Sequence, residues 1–238
     1  MGDRKKVYGF VIVLLAIGLG LLIGSGPVHS YDVWWHLQQG QEILARGQIV
    51  LHDMYSHTAE GAYRPPQQWL FEVIQAGFYA MAGIKGMVAL KMVLVAAILG
   101  LLAIVLLRRN CTYLLLAALI PVTLSGGMAS ISCRPHMVLP VFLLGVAAVV
   151  VASRDRPRIV WVLPLLFVAW ANLHASFMLG LAFVGLWALQ RTLFTDLHYP
   201  WKISFDRCGL FQSAGVFVAC LGACAIIPVG LALLAYPL

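Results

Sequence analysis

Long apolar stretches, most of them uncharged, alternate along this chain with polar breaks. The first runs over Val7–Gly24. A polar segment at 25–67 follows, then an apolar stretch at 69–83 that carries Glu72 and Gln75. Further apolar runs lie at 87–107, 111–126 and 136–152. Residues 159–190 are uncharged throughout, too long for one span of about 20 residues. Asn172, His174 and Ser176 sit near the middle of that run, so two short helices meeting at 172–176 are expected. A loop at 191–209 precedes a last run at 210–236. The pattern predicts an all-α polytopic transmembrane bundle: one domain over 1–238, with about seven spans and one interfacial or re-entrant helix at 68–83.

Within the polar segment, residues 33–46 have helical periodicity. Val33, Leu37, Gly40 and Leu44 form an apolar stripe, with Asp32, Trp35, His36 and Gln39 on a more polar face. Asp32 is suited to cap this helix, and the helix to lie in the membrane interface.

Composition agrees with the pattern. Hydrophobic residues make up 62% of the chain and charged ones 11%, against roughly 25% charged in soluble domains. The net charge of +7 does not point to nucleic acid, because the basic residues cluster at span ends. The opening Asp3-Arg4-Lys5-Lys6 resembles the start of a signal peptide, but the apolar run behind it exceeds the usual length of about 7–15 residues. Val28-His29-Ser30 is a poor cleavage site, so an uncleaved first helix is expected.

Basic residues also set the expected sidedness. If 69–83 does not cross, Arg4, Lys5, Lys6, Arg108, Arg109, Arg154, Arg156, Arg158, Arg191, Lys202 and Arg207 share the inner side with the N-terminus. The first polar segment, 25–67, then becomes an outer loop. Asp32, His36, Asp53, Arg134, His136, Asn172 and His174 fall on the outer face together.

Each candidate has a plain reading beside a chemical one. Asp32 caps a helix, or acts as an acid at a membrane mouth. Arg134 snorkels to headgroups, or clamps a substrate phosphate with its planar guanidinium, His136 adding a second donor. Asp53 sits among His52, Ser56 and His57, where loop polarity alone would put such residues. Glu72, on an apolar face, needs a partner or a cavity. Asn172 and His174 interrupt an apolar run, as buried polar structure or as a binding site. His36, His52, His57, His136 and His174 lack the one-turn spacing of a helical metal site. Cys220 and Cys224 are one turn apart and read as packing, not as a disulfide or metal pair.

Taken in order, these residues resemble a bacterial branch of the GT-C superfamily of membrane glycosyltransferases. The motifs are Asp32, Trp34 or Trp35, His36, Gly47, Ile49, Asp53, Ser56, Trp69, Leu70 and Glu72, then Arg134-Pro135-His136 and Asn172-Leu173-His174-Ala175-Ser176-Phe177. The resemblance covers most of the chain and corresponds to the N-terminal part of such enzymes. It implies a polyprenyl-phosphate-linked sugar as donor, a periplasmic active face, and a multi-pass place in the bacterial inner membrane with a cytoplasmic N-terminus. It also implies Asp32 as catalytic acid with His36 beside it, Arg134 and His136 on the donor phosphate, and Asp53, Glu72, Asn172 and His174 around substrate.

Such enzymes are usually longer, so a split or non-catalytic membrane subunit of a larger complex is the alternative expectation. No Asp-x-Asp is present. A divalent cation thus remains a possible cofactor without a motif of its own, and no resident metal site is expected.

Overall fold

A computed structural model describes residues 2–28, 30–109, 131–193 and 207–228. The expected span at 111–126 lies outside the described residues, as do most of the 191–209 loop and the end of the 210–236 run. All long regular elements among the described residues are helices. They are α1 (Gly2–Gly24), α2 (Asp32–Arg46), α3 (Trp69–Ala82), α4 (Ile84–Arg108), α5 (Val138–Ala152), α6 (Leu163–Leu173), α7 (Phe177–Leu193) and α8 (Arg207–Ala223). Short 3-10 turns at Pro135–Met137 and Pro157–Val162 lead into α5 and α6.

Three described stretches are long and apolar enough to cross a membrane: Val7–Gly24, Ile84–Arg108 and Pro135–Ala152. Their outward faces carry Leu14, Leu15, Leu22 and Val93, all exposed. Water does not tolerate so much contiguous apolar surface, whereas lipid does.

The helices α1 and α4 run antiparallel in close contact. Gly24 lies against Met92, Gly20 against Ala96, and Gly100 against Ile17. A Cβ on Gly20 would stand 2.5 Å from the Ala96 Cα. Lipid gives helices no hydrophobic reason to associate, so this approach through small residues supplies the attraction as dispersion. Gly20-Leu-Leu-Ile-Gly24 is a small-xxx-small signal that the hydrophobic pattern alone does not rank. Lys91 locks the same pair. It is 2 % exposed, and its Nζ donates to the carbonyls of Gly26 at 2.6 Å and Pro27 at 2.8 Å. Those carbonyls follow the C-terminal end of α1, where backbone acceptors lack helical partners.

This pairing returns the chain to the α1 exit before α4 begins. Residues 25–83 therefore start and finish at one end of the bundle, and α3 forms a tight hairpin with α4 through Gly83, whose φ is 58°. Gly86 sits directly on the Phe78 carbonyl, leaving no room for a side chain.

The helix α2 begins one residue earlier than expected, with Asp32 inside it and Tyr31 at the cap position. No side chain caps it. Its buried face is Val33, His36, Leu37, Gln39, Gly40 and Ile43, while Leu44 is exposed. The expected purely apolar stripe is thus corrected: α2 buries two polar residues because α3 presents Glu72 and Gln75 to it. Gly40 lets the α2 backbone approach the Glu72 carbonyl.

The long apolar run breaks as expected. The helix α6 ends at Leu173 and α7 starts at Phe177. Around it the core centres on Trp170, with Phe142 stacked at 5.5 Å and Phe167 tilted at 5.6 Å. Described cysteines Cys133, Cys220 and Cys224 are buried free thiols.

Replacing Gly20 by Leu is expected to separate α1 from α4 and lower the detergent-phase melting temperature, since several angstroms of helix contact are lost. A Gly20→Leu chain that melts with the parent would show that the contact carries no stability.

Candidate functional site

The bundle has two chemically distinct ends. At one, Arg191 donates to the Gln212 side chain, and Gln212 donates to the Pro157 carbonyl. The start of the α6 segment, the end of α7 and the start of α8 therefore meet there, alongside Arg154, Arg156 and Arg158 at the close of α5. At the other, Asn172 donates to the Ile226 carbonyl at 2.9 Å, joining the end of α6 to the chain just past α8. The candidate residues gather at this second end.

Its outermost feature is an ion pair between the Asp32 carboxylate and the Arg134 guanidinium. Asp32 enters from the first turn of α2, Arg134 from the extended residue ahead of the Pro135–Met137 turn. Asp32 is exposed and Arg134 half-buried, so the pair keeps access to solvent, is weakly held and is open to exchange for another anion. The Arg134 Nε, by contrast, is buried with no hydrogen-bond partner. The capping role expected for Asp32 is not seen: its carboxylate turns to Arg134 instead.

One turn further along α2, His36 is buried against Glu72 of α3, with Nδ1 3.1 Å from Oε1. Nδ1 stands between two partners: it donates to the Glu72 carboxylate when it carries the proton and accepts from the Gln68 amide when it does not. The Gln68 amide contacts the same Nδ1 at 3.2 Å. This answers the demand that Glu72 find a partner in its apolar surroundings. A neighbouring bond ties Gln75 Nε2 to the Val33 carbonyl at 3.0 Å.

Asn172 is the link between α3 and α6. Its Oδ1 accepts from Trp69 Nε1 at 2.9 Å, and its amide nitrogen donates to Val168 and Ile226. His174 follows in extended backbone, where its Nδ1 accepts from the Ser176 amide at 3.1 Å. Ser176 Oγ in turn accepts from Trp170 Nε1. Burial pushes the His174 imidazole down to about 4, helped by the nearby His136 and His36.

Asp53 organises its own loop. Its carboxylate accepts from Tyr55 N, Ser56 N and Ser56 Oγ, and these bonds, the Ser56 ones foremost, with Arg64 adding a little, hold it at about 2. A bridge between His52 and Tyr63 closes the loop, and Arg64 packs 5.0 Å over the Trp35 ring. Trp35 also meets Tyr55 edge-on at 5.2 Å.

Between this loop, α2 and α3 lies a polar cavity of about 160 Å³, lined by Gln39, Val50, Arg64, Pro65, Pro66, Gln67, Gln68 and Glu72. Glu72, which lines the cavity and is held by His36, therefore belongs both to the cavity and to the polar cluster. Sequence reading missed Gln39, Arg64 and Gln68 as site residues. Only a helical wheel that placed Gln39 beside His36 on the buried face would have flagged the first.

Among the described residues, no group of three or more His, Cys, Asp or Glu side chains could hold a metal ion. Comparison with known proteins returns no matching family model, no similar curated protein and no similar solved structure.

The sign of the His174 shift fixes a pH dependence. The unfolded imidazole titrates near 6.5, the folded one near 4, so the unfolded state binds the proton first. Stability is complete above pH 6.5 and falls as pH drops toward 4, by on the order of 3 kcal/mol in total. Melting in detergent at about pH 7.5 and about pH 4.5 should show a larger drop for the parent chain than for His174→Gln. Equal drops would remove His174 as the cause.

Proposed function

We propose that this chain is a multi-pass membrane glycosyltransferase acting on a polyprenyl-phosphate-linked sugar at the outer, periplasmic face. The observation that carries the reading is the meeting of Asp32 and Arg134. A carboxylate and a guanidinium from segments a hundred residues apart pair at the end of the bundle where the other polar candidates collect. The opposite end carries Arg154, Arg156, Arg158 and Arg191, which supports a cytoplasmic assignment for that end and for the N-terminus. The proposal takes seven spans on a GT-C-like core; three of the described stretches are long and apolar enough to cross a membrane.

The chemistry follows from the two charges. A lipid phosphate entering the site exchanges for the Asp32 carboxylate on Arg134, whose fork matches phosphate oxygens. Asp32 is thereby released to take the proton of an acceptor hydroxyl. The hydroxyl oxygen attacks the anomeric carbon, and the bond from that carbon to the phosphate oxygen breaks. The phosphate leaves with the electron pair, and Arg134 stabilises the charge that develops on it. His136 adds a donor beside Arg134. His36 and Glu72 hold α2 on α3 and so keep Asp32 in position. Asn172 and His174 shape the wall on the α6 side, and Asp53 fixes the loop on the other.

A non-catalytic reading has one observation in its favour. Asp32 and Arg134 are paired with one another, and Asn172 spends its hydrogen bonds on holding helices together. Such internally paired polar contacts suit a lipid-binding or scaffold subunit of a larger membrane complex.

Transfer from a panel of polyprenyl-phosphate hexoses and pentoses, measured with the chain in lipid vesicles, separates the two. Asp32→Asn is expected to fold normally and to lose at least about 10²-fold in transfer rate. Undiminished transfer by that variant would take Asp32 out of the chemistry. No turnover by the parent chain, together with a stoichiometric membrane partner in the purified material, would favour the subunit.

A further inference from the structure

The cavity beside His36 has a composition that the proposed chemistry does not use. Five of its eight lining residues are polar: Gln39, Arg64, Gln67, Gln68 and Glu72. Two of these, Gln39 and Glu72, are each 5 % exposed, so their polar atoms depend on partners inside the protein or inside the cavity. Arg64 Nη1 is buried with no hydrogen-bond partner among the described residues, a costly state for a charged donor. Three amides, a guanidinium and a carboxylate offer donors and acceptors side by side. Hydroxyl groups, which donate and accept at once, match that mixture.

Charge narrows the ligand. Arg64 is the one cation in the lining, the Glu72 carboxylate belongs to the same lining, and the Asp53 carboxylate lies close enough to Arg64 to feel its charge. Two acids near one base disfavour phosphate and carboxylate ligands alike. Size narrows it further. At about 160 Å³ the cavity falls below the roughly 300–1,000 Å³ of drug-sized pockets, which leaves room for one small ring. Pro65 and Pro66 make one wall stiff, and the loop that Asp53 braces makes another.

We infer that this cavity binds the hydroxyl face of a single neutral sugar ring, read by Gln39, Gln67, Gln68, Arg64 and Glu72. As a statement about which sugars the site accepts, it rests on the glycosyltransferase reading, but binding itself can be measured without turnover. Arg64 engages the ring hydroxyls while its other edge stays over Trp35, so ligand binding reaches the indole. Glu72 contacts the ligand on one side and His36 on the other, which couples an occupied cavity to the α2 helix that carries Asp32.

The test is fluorescence titration of the full chain in detergent with glucose, mannose, galactose and arabinose, and separately with inorganic phosphate. Neutral pyranoses are expected to change the emission saturably, Trp35→Phe to abolish the change, and phosphate to leave it untouched. Gln67→Ala, a half-buried position, and Gln39→Ala should each weaken binding by about tenfold, the loss of one hydrogen bond to the ligand. A polyprenyl-phosphate hexose that competes, where polyprenyl phosphate alone does not, would identify the ring as the donor's sugar. Binding without such competition would identify it as the acceptor's. The inference is overturned if no pyranose gives a saturable change, if phosphate produces the same change, or if both glutamine variants bind as the parent does. Pyranose binding that persists while Asp32→Asn transfers at full rate would sink the catalytic reading and leave the sugar cavity standing.

Discussion

A carboxylate inside an apolar bundle must be partnered, and Glu72 is the residue on which that rule acts most strongly here. Its desolvation is unaffordable alone, so α3 cannot sit anywhere that leaves Glu72 facing lipid. His36 provides the partner, and to do so α2 must lie across α3 with His36, Gln39 and Gly40 turned inward. From that contact the neighbouring placements follow. Asp32, one turn before His36, is left at the rim, and Gln68, just ahead of α3, is drawn to the same imidazole.

The second constraint is the close antiparallel packing of α1 and α4. It brings the chain back to the end it left, so that α2, α3 and the intervening loop gather on one end of the bundle instead of being distributed along it. Lys91 closes that end by donating to two carbonyls beyond α1. Trp69 and Asn172 then tie the α2–α3 layer to α6. The polar cluster is therefore supported by rigid helices on several sides, as a binding site requires if its groups are to hold their geometry.

Much of this was legible in the order of residues, and the exceptions have physical causes. Asn172, His174 and Ser176 marked the break between α6 and α7 correctly, because polar groups in the middle of an over-long apolar run have few other uses. Glu72 announced that it needed a partner, but its identity depended on which face of α2 turned inward. The stripe of Val33, Leu37, Gly40 and Leu44 misled in part: a helix packed on a polar-bearing neighbour buries polar residues too, and Leu44 was left outside. Asp32 had the chemistry of a cap, yet a guanidinium within reach is the stronger attraction for a carboxylate. Lys91 carried no signal in the apolar run at 87–107, and only the fold brings the carbonyls of Gly26 and Pro27 within its reach.

Composition and hydrophobic period alone determined that this chain forms apolar helices, where the polar breaks fall, and at which breaks the basic residues cluster. These are local properties, set by transfer free energy and helical repeat, and they need no knowledge of neighbours. Only the tertiary structure decided that Arg134 meets Asp32, that Glu72 meets His36, that Trp69 meets Asn172, and that Gln39, Arg64, Gln67 and Gln68 enclose a common cavity. Each of those meetings needs at least one residue far from the others in the chain. Their meeting depends on how closely helices approach, which glycines at Gly20, Gly40 and Gly86 permit and no single segment specifies.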